Sequence, residues 1–124
     1  MTRTSVAKWS ELADRVPAGA QVGPVALVVV RHDDQVSVLY GRCPHRGALM
    51  CAGSVSGETL ICASHSWDFD LRTGVSPSSS SDRLQRFSAS IDLEADQVFV
   101  DADELAAWWQ SEPQTFESDE DLGA

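Results

Sequence analysis

Apolar and β-branched residues recur along this chain in short runs with period-two alternation, the signature of strands rather than of long amphipathic helices. The pattern predicts strands at residues 25–30, 36–40, 59–62, 67–71, 86–91 and 97–100. Turn-forming residues lie between them. Arg31-His32-Asp33-Asp34-Gln35 reads as a hairpin connection between the first two strands, with His32 at the surface, and Glu94-Ala95-Asp96 reads as one between the last two. Residues 10–14 suit a single helical turn capped by Ser10 and stopped by Pro17. Many short strands at close spacing predict an all-β sandwich or barrel.

Two stretches interrupt the pattern. Residues 41–57 are glycine-rich, lack periodicity and hold Cys43 and Cys51, so they read as a long ordered loop that something other than a hydrophobic face must hold. Residues 75–82 are serine-rich and of low complexity, a surface connection before the strand pattern resumes. Near the carboxyl end, Asp103 is a candidate N-cap, Glu104 suits a first turn, and Leu105, Trp108 and Trp109 fall at i, i+3 and i+4, with Pro113 beyond. A short helix over 103–113 is predicted, its apolar face packed back on the sandwich rather than docked to another subunit, because exposed paired tryptophans are costly. An acidic, disordered tail is expected over 114–124.

Length and charge narrow the function. A chain of 124 residues makes one domain, too short for a core plus a separate catalytic domain. A formal charge of −10 opposes binding to phosphate backbones, so nucleic acid is a poor partner. The charge is uneven: residues 1–100 carry eleven acids against all nine bases, and residues 101–124 carry the other eight acids and no base. The longest apolar run, 25–30, cannot span a bilayer, and no apolar stretch near the start resembles a secretory segment, so no membrane partner and a cytoplasmic location are expected. In a reducing compartment, cysteine beside histidine points to metal before disulfide.

Cys43-Pro44-His45 and Cys62-Ala63-Ser64-His65 carry the chemistry. Two loops each offer one thiolate and one imidazole. A thiolate pair and an imidazole pair suit a binuclear iron-sulfur centre in which one iron takes both cysteines and the other both histidines. A closed Cys2His2 zinc site is the alternative, although zinc fingers usually pair cysteine with cysteine and histidine with histidine, whereas each half-motif here is mixed.

The two segments Cys43-Pro-His-Arg-Gly-Ala-Leu49 and Cys62-Ala-Ser-His-Ser-Trp-Asp-Phe-Asp-Leu-Arg-Thr-Gly74 resemble the paired cluster loops of a Rieske-type 2Fe-2S ferredoxin, and the similarity extends to the flanking strands over residues 6–101. The resemblance implies one 2Fe-2S cluster, with Cys43 and Cys62 on one iron and His45 and His65 on the other. It also implies an antiparallel β-sandwich over 1–102, with a cluster-binding subdomain over about 41–75. Departures matter. Ser64 stands where cytochrome-type relatives carry a second disulfide cysteine, so no such bridge can form. Trp67 and Phe69 replace hydroxyl donors to cluster sulfur, which implies a potential toward the lower end of the Rieske range of about −150 to +300 mV. Ser66 replaces a common glycine. Cys51 is read as a free thiol, Gly74 as a turn residue, and Arg42 and Arg46 as a local positive patch beside the cluster tip that could orient an acidic acceptor.

Three histidines leave only His32 beyond the cluster set, so a two-histidine, one-carboxylate oxygenase iron cannot be assembled within this chain. The expected function is a soluble one-electron carrier, monomeric when free and not itself an enzyme. It would pass electrons from a flavin-dependent reductase to a terminal enzyme such as a ring-hydroxylating oxygenase. The alternatives are a small Rieske subunit held permanently in a nitrite-reductase-like enzyme, with Leu105, Trp108 and Trp109 at the interface, and a structural zinc module.

Overall fold

A computed structural model describes residues 2–43, 47–63, 67–77 and 83–112. Ten strands run through it: β1 Arg3–Lys8, β2 Ala18–Val22, β3 Val25–His32, β4 Gln35–Tyr40, β5 Ser54–Ser56, β6 Thr59–Ile61, β7 Asp68–Asp70, β8 Arg86–Phe87, β9 Ala89–Asp92 and β10 Gln97–Asp101. One helix, α1, spans Ala102–Ser111. The strands form three sheets, ordered β1-β10-β9, β2-β3-β4-β8 and β5-β6-β7, and every pairing is antiparallel. No helix among the described residues is long and apolar enough to cross a membrane.

The apolar run 25–30 is continuous because β3 is buried on both faces. Val25, Leu27 and Val29 enter one core with Val38, Tyr40, Phe87, Val98 and Val100, which fills the space between the first two sheets. Val28, Val30 and Leu39 point the other way, into a second core with Met50, Leu60, Phe69, Leu71 and Leu84. The β3–β4 pair is therefore a wall shared by the sandwich and the β5-β6-β7 sheet. Its hairpin closes with His32 opposite Gln35, and Asp33 takes the left-handed conformation at φ 59°. The Asp14 carboxylate accepts the Asp33 N–H at 2.8 Å and steadies that turn. The second expected hairpin closes with Asp92 opposite Gln97.

Several expectations need correction. Residues 86–91 are two strands in different sheets: β8 pairs with β4, β9 pairs with β10, and the chain changes sheet at Ser88, whose N–H donates to the Glu104 carboxylate at 3.3 Å. Strands β1, β2 and β5 are not among the predicted strands because they are rich in small and polar residues; β1 is paired by the distant β10, whereas β2 and β5 form hairpins with β3 and β6, the strands that follow them. The early turn is a 3-10 turn at Trp9–Glu11 without a side-chain cap. Ser10 lies inside it and gives its N–H and hydroxyl to Asp96, at 2.8 and 2.6 Å. Residues 41–57 are not all loop, since a 3-10 turn at Met50–Ala52 and β5 lie within them.

The C-terminal helix starts one residue earlier than expected because Asp101, not Asp103, is its N-cap, accepting the Asp103 N–H at 2.9 Å. Leu105 is only 1% exposed within the sandwich core. Trp108 packs edge-on against Phe87 at 5.2 Å between ring centroids and lies 5.0 Å from Tyr40, so the apolar face folds back on the sandwich as expected. The tail over 114–124 lies outside the described residues.

His32 is not a surface residue. It closes β3 on the face that carries Val28 and Val30, is 4% exposed, and has Nε2 2.8 Å from the Ser37 hydroxyl. Burial lowers its pKa; Glu58 opposes that shift, while Arg15, Arg72 and Arg86 add to it.

Candidate metal centre

The first cluster-loop candidate begins where β4 ends. Gly41 is pressed so closely against β3 that a Cβ there would lie 2.8 Å from the Leu27 backbone, and its N–H donates to the Ala26 carbonyl. The chain returns through Met50, whose N–H reaches the Gly41 carbonyl at 2.8 Å, and through a bridge between Arg42 and Leu49. Above this short base the Cys43 N–H donates to the Ala48 carbonyl and the Gly47 N–H to the Cys43 carbonyl, both at 2.8 Å. Gly47 sits at φ 76°, where a side chain would be strained.

The second loop tops the β6–β7 hairpin. Beyond the Ile61–Asp68 pair, the Cys62 N–H donates to the Trp67 carbonyl at 2.8 Å. The two loops thus share one closure: each cysteine N–H bonds the carbonyl five residues on, enclosing 44–47 in one loop and 63–66 in the other. His45 and His65 fall within these enclosed segments by sequence, but both lie outside the described residues, as does Arg46.

Cys43 and Cys62 are each 1% exposed and belong to the same buried cluster, so the structure brings the two thiols from separate loops into one apolar environment. No cysteine forms a disulfide. Apolar surroundings exclude solvent from bound metal, and two thiols presented by hydrogen-bonded loops are suitable soft donors for iron or zinc. The donor chemistry therefore fits the half of a binuclear iron-sulfur site that takes sulfur ligands.

The remaining candidates are spread around this pair. Cys51 is half-buried against β2, where a Cβ on Gly19 would lie 3.0 Å from its sulfur. Phe69 is fully buried and Trp67 packs against the same cluster, so neither expected hydroxyl position carries a hydroxyl. Gly74 makes the expected turn at φ 82° and also a close contact, because a Cβ there would meet the Leu84 carbonyl oxygen at 2.1 Å. Ser76, buried, donates from its hydroxyl to Asp68 at 3.1 Å and ties the following segment to β7. Arg42 does not simply add to a surface patch: its guanidinium turns into the first loop and donates from Nη1 to the Gly47 carbonyl at 2.8 Å. Its sequence position beside Cys43 marked it as a nearby charge, but no local pattern reveals the carbonyl it reaches.

Comparison with known proteins agrees with this geometry. The methylxanthine N1-demethylase NdmA of Pseudomonas putida is 36% identical over 58 residues, covering 41% of this chain and only 16% of that longer protein. The ferredoxin of carbazole 1,9a-dioxygenase from Nocardioides aromaticivorans IC177 superposes with a TM-score of 0.71 at 26% identity, over 81% of this chain and 97% of that one. A Mycobacterium tuberculosis protein described as an NADH-dependent nitrite reductase small subunit shares the fold, with a TM-score of 0.73 at 18% identity over 80% of this chain and 93% of that one. The family model for the Rieske [2Fe-2S] domain matches residues 2–88, which take in both loops and the wall that carries them, and the chain belongs to that family.

Proposed function

We propose that the chain is a one-electron carrier in which Cys43 and Cys62 hold one iron of a 2Fe-2S cluster and His45 and His65 hold the other. The observation that supports this most directly is the matched closure of the two loops around buried cysteines. When bound, the cluster would supply a one-electron couple; the chain's residues would hold it, and the buried surroundings of Cys43 and Cys62 would keep water from its sulfur side. The Trp67 and Phe69 positions offer no hydroxyl to stabilise the more negative reduced state, which favours a low potential.

The donor in this reading is a flavin-dependent reductase and the acceptor a terminal enzyme such as a ring-hydroxylating oxygenase. The ferredoxin of a carbazole dioxygenase, alike over nearly its whole length, supports the choice of acceptor. We place the carrier in the cytoplasm, with no transformation of substrate by the chain itself. Permanent attachment to a reductase drew support from the apolar Leu105, Trp108 and Trp109 face, and that face is occupied by the sandwich.

Purified protein should be red-brown with about two irons and two acid-labile sulfides per chain. His45→Ala or His65→Ala should abolish the Rieske-type EPR signal, while Cys51→Ser should leave it unchanged. A colourless protein carrying stoichiometric zinc after expression with ample iron would overturn the ligand assignment. A cluster-loaded protein that accepts electrons from no flavin reductase, yet copurifies tightly with one larger enzyme, would overturn the carrier reading alone.

A further inference from the structure

The two loops stand on unequal foundations. The second rises from three paired residues on each side of the β6–β7 ladder, whereas the first stands on the Arg42–Leu49 bridge and the Met50–Gly41 hydrogen bond. Loops with few ladder contacts open more readily, so a ligand carried there needs another restraint. Arg42 is placed to supply one. Half-buried, it donates to the Gly47 carbonyl at 2.8 Å, while the N–H of the same glycine donates to the Cys43 carbonyl at 2.8 Å. The guanidinium, the glycine and the cysteine backbone form one closed circuit at the base of the loop, and its first bond is charge-assisted and partly buried.

We infer that Arg42 is a positioning residue for the metal centre: it ties Gly47 to the base of the first loop beside Cys43 so that the loop retains its metal ligands, and the fixed charge at that base favours the more negative, reduced state. This rests on the ligand reading above. Arg42 touches no metal and acts through Gly47 and Cys43. An arginine outside the loop, free to swing in solvent, would do neither; the bond to Gly47 distinguishes the two cases.

The test uses cluster-loaded protein and three readouts: the rate of iron transfer to a ferrous chelator, the reduction potential, and the unfolding midpoint of the sandwich followed by tryptophan fluorescence. Arg42→Met should release iron about ten-fold faster, the effect of losing one charge-assisted hydrogen bond. It should also lower the potential and leave the sandwich midpoint near wild type. Arg42→Lys retains the charge with a differently shaped donor, so it should restore the potential and only part of the slow release. Release within two-fold of wild type in Arg42→Met, with an unchanged potential, would overturn the inference. If that variant cannot be loaded, Arg42→Lys decides alone: release as slow as wild type overturns the clamp, and faster release supports it. A wild-type protein without a Rieske signal would instead fail the ligand assignment.

Discussion

Leu105→Ala tests whether α1 belongs to the fold or to an interface. Leu105 is 1% exposed and lies in the core with Val25, Leu27, Tyr40 and Phe87, so truncation empties space that neither solvent nor a surface side chain can fill. Removing buried methyl and methylene groups costs their transfer free energy plus the cavity they leave, about 2–5 kcal/mol for leucine to alanine. Against a total of about 5–15 kcal/mol for a domain, that is a large fraction. At about 4–8 °C per kcal/mol in a small domain, a loss of about 3 kcal/mol should lower the unfolding midpoint on the order of 10–20 °C. The neighbouring rings provide an independent signal, because Trp108 packs against Tyr40 and Phe87 and its emission should shift as the helix loosens.

Apparent midpoints should be compared at one scan rate, since loss of a bound cofactor makes unfolding irreversible. Ala107→Ser, at an exposed position of the same helix, is the control and should shift the midpoint little. A Leu105→Ala protein that sediments as a monomer and unfolds within about 4 °C of wild type, equivalent to roughly 1 kcal/mol, would refute the packing argument. The apolar face would then have to be covered by something other than this chain's own sandwich.

Two further outcomes follow from backbone and charge. Gly74→Ala should destabilise more than Gly57→Ala: both glycines have positive φ, 82° and 62°, but a Cβ at 74 would meet the Leu84 carbonyl oxygen at 2.1 Å while one at 57 meets nothing within 4 Å. Denaturant midpoints that fall equally would show that the dihedral alone matters and that the close contact relaxes freely. Stability should also decline on acidification from about pH 6.5, because burial depresses the folded-state pKa of His32 below that unfolded value. The unfolded chain then binds more protons, so His32's contribution is complete above the unfolded pKa and is lost as pH falls through the folded one. His32→Gln should flatten this part of the curve; an unchanged slope there would assign it to other groups. The carboxylates of Asp14 and Asp96, held down by hydrogen bonds from Asp33 and from Ser10 respectively, act only in a more acidic window.

What was legible in the sequence was what local chemistry determines. The strands at 25–30 and 36–40 stand out because a wall buried on both faces must be apolar almost throughout. The metal loops stand out because ligand type and spacing are properties of a few adjacent residues. Long-range partners account for some of the misses, as at Ser88 and β1. Ser88 turns a corner because Glu104, sixteen residues away, accepts its N–H, and nothing near Ser88 announces that. Strand β1 is made by pairing with β10 near the other end of the fold, with Arg3 opposite Asp101. His32 illustrates the hazard of reading a turn by its charged neighbours: the turn begins one residue later, and strand register directs the imidazole inward toward Ser37.

The expected insertion at 41–75 is an insertion in sequence but not in packing. Met50, Leu60, Phe69 and Leu71 have no core of their own; they are buried against Val28, Val30 and Leu39, the outer face of the wall whose inner face closes the sandwich. Three short strands could not stabilise themselves, since a small sheet needs a further layer to cover its apolar face. The sharing has a functional consequence. Both cysteines join the same second core, so displacement of β3 or β4 would disturb both loops together, and rigidity of the sandwich becomes rigidity of the candidate metal centre. The polar residues of the β5–β6 hairpin tie its far end to the first sheets through the Arg15 side chain, which donates to the Gly57 carbonyl at 2.9 Å while pairing with Asp14 and Asp33. The third sheet is therefore held at its base by apolar contact and at its far turn by an arginine, so the two loops that carry Cys43 and Cys62 rise from a layer fixed at both ends.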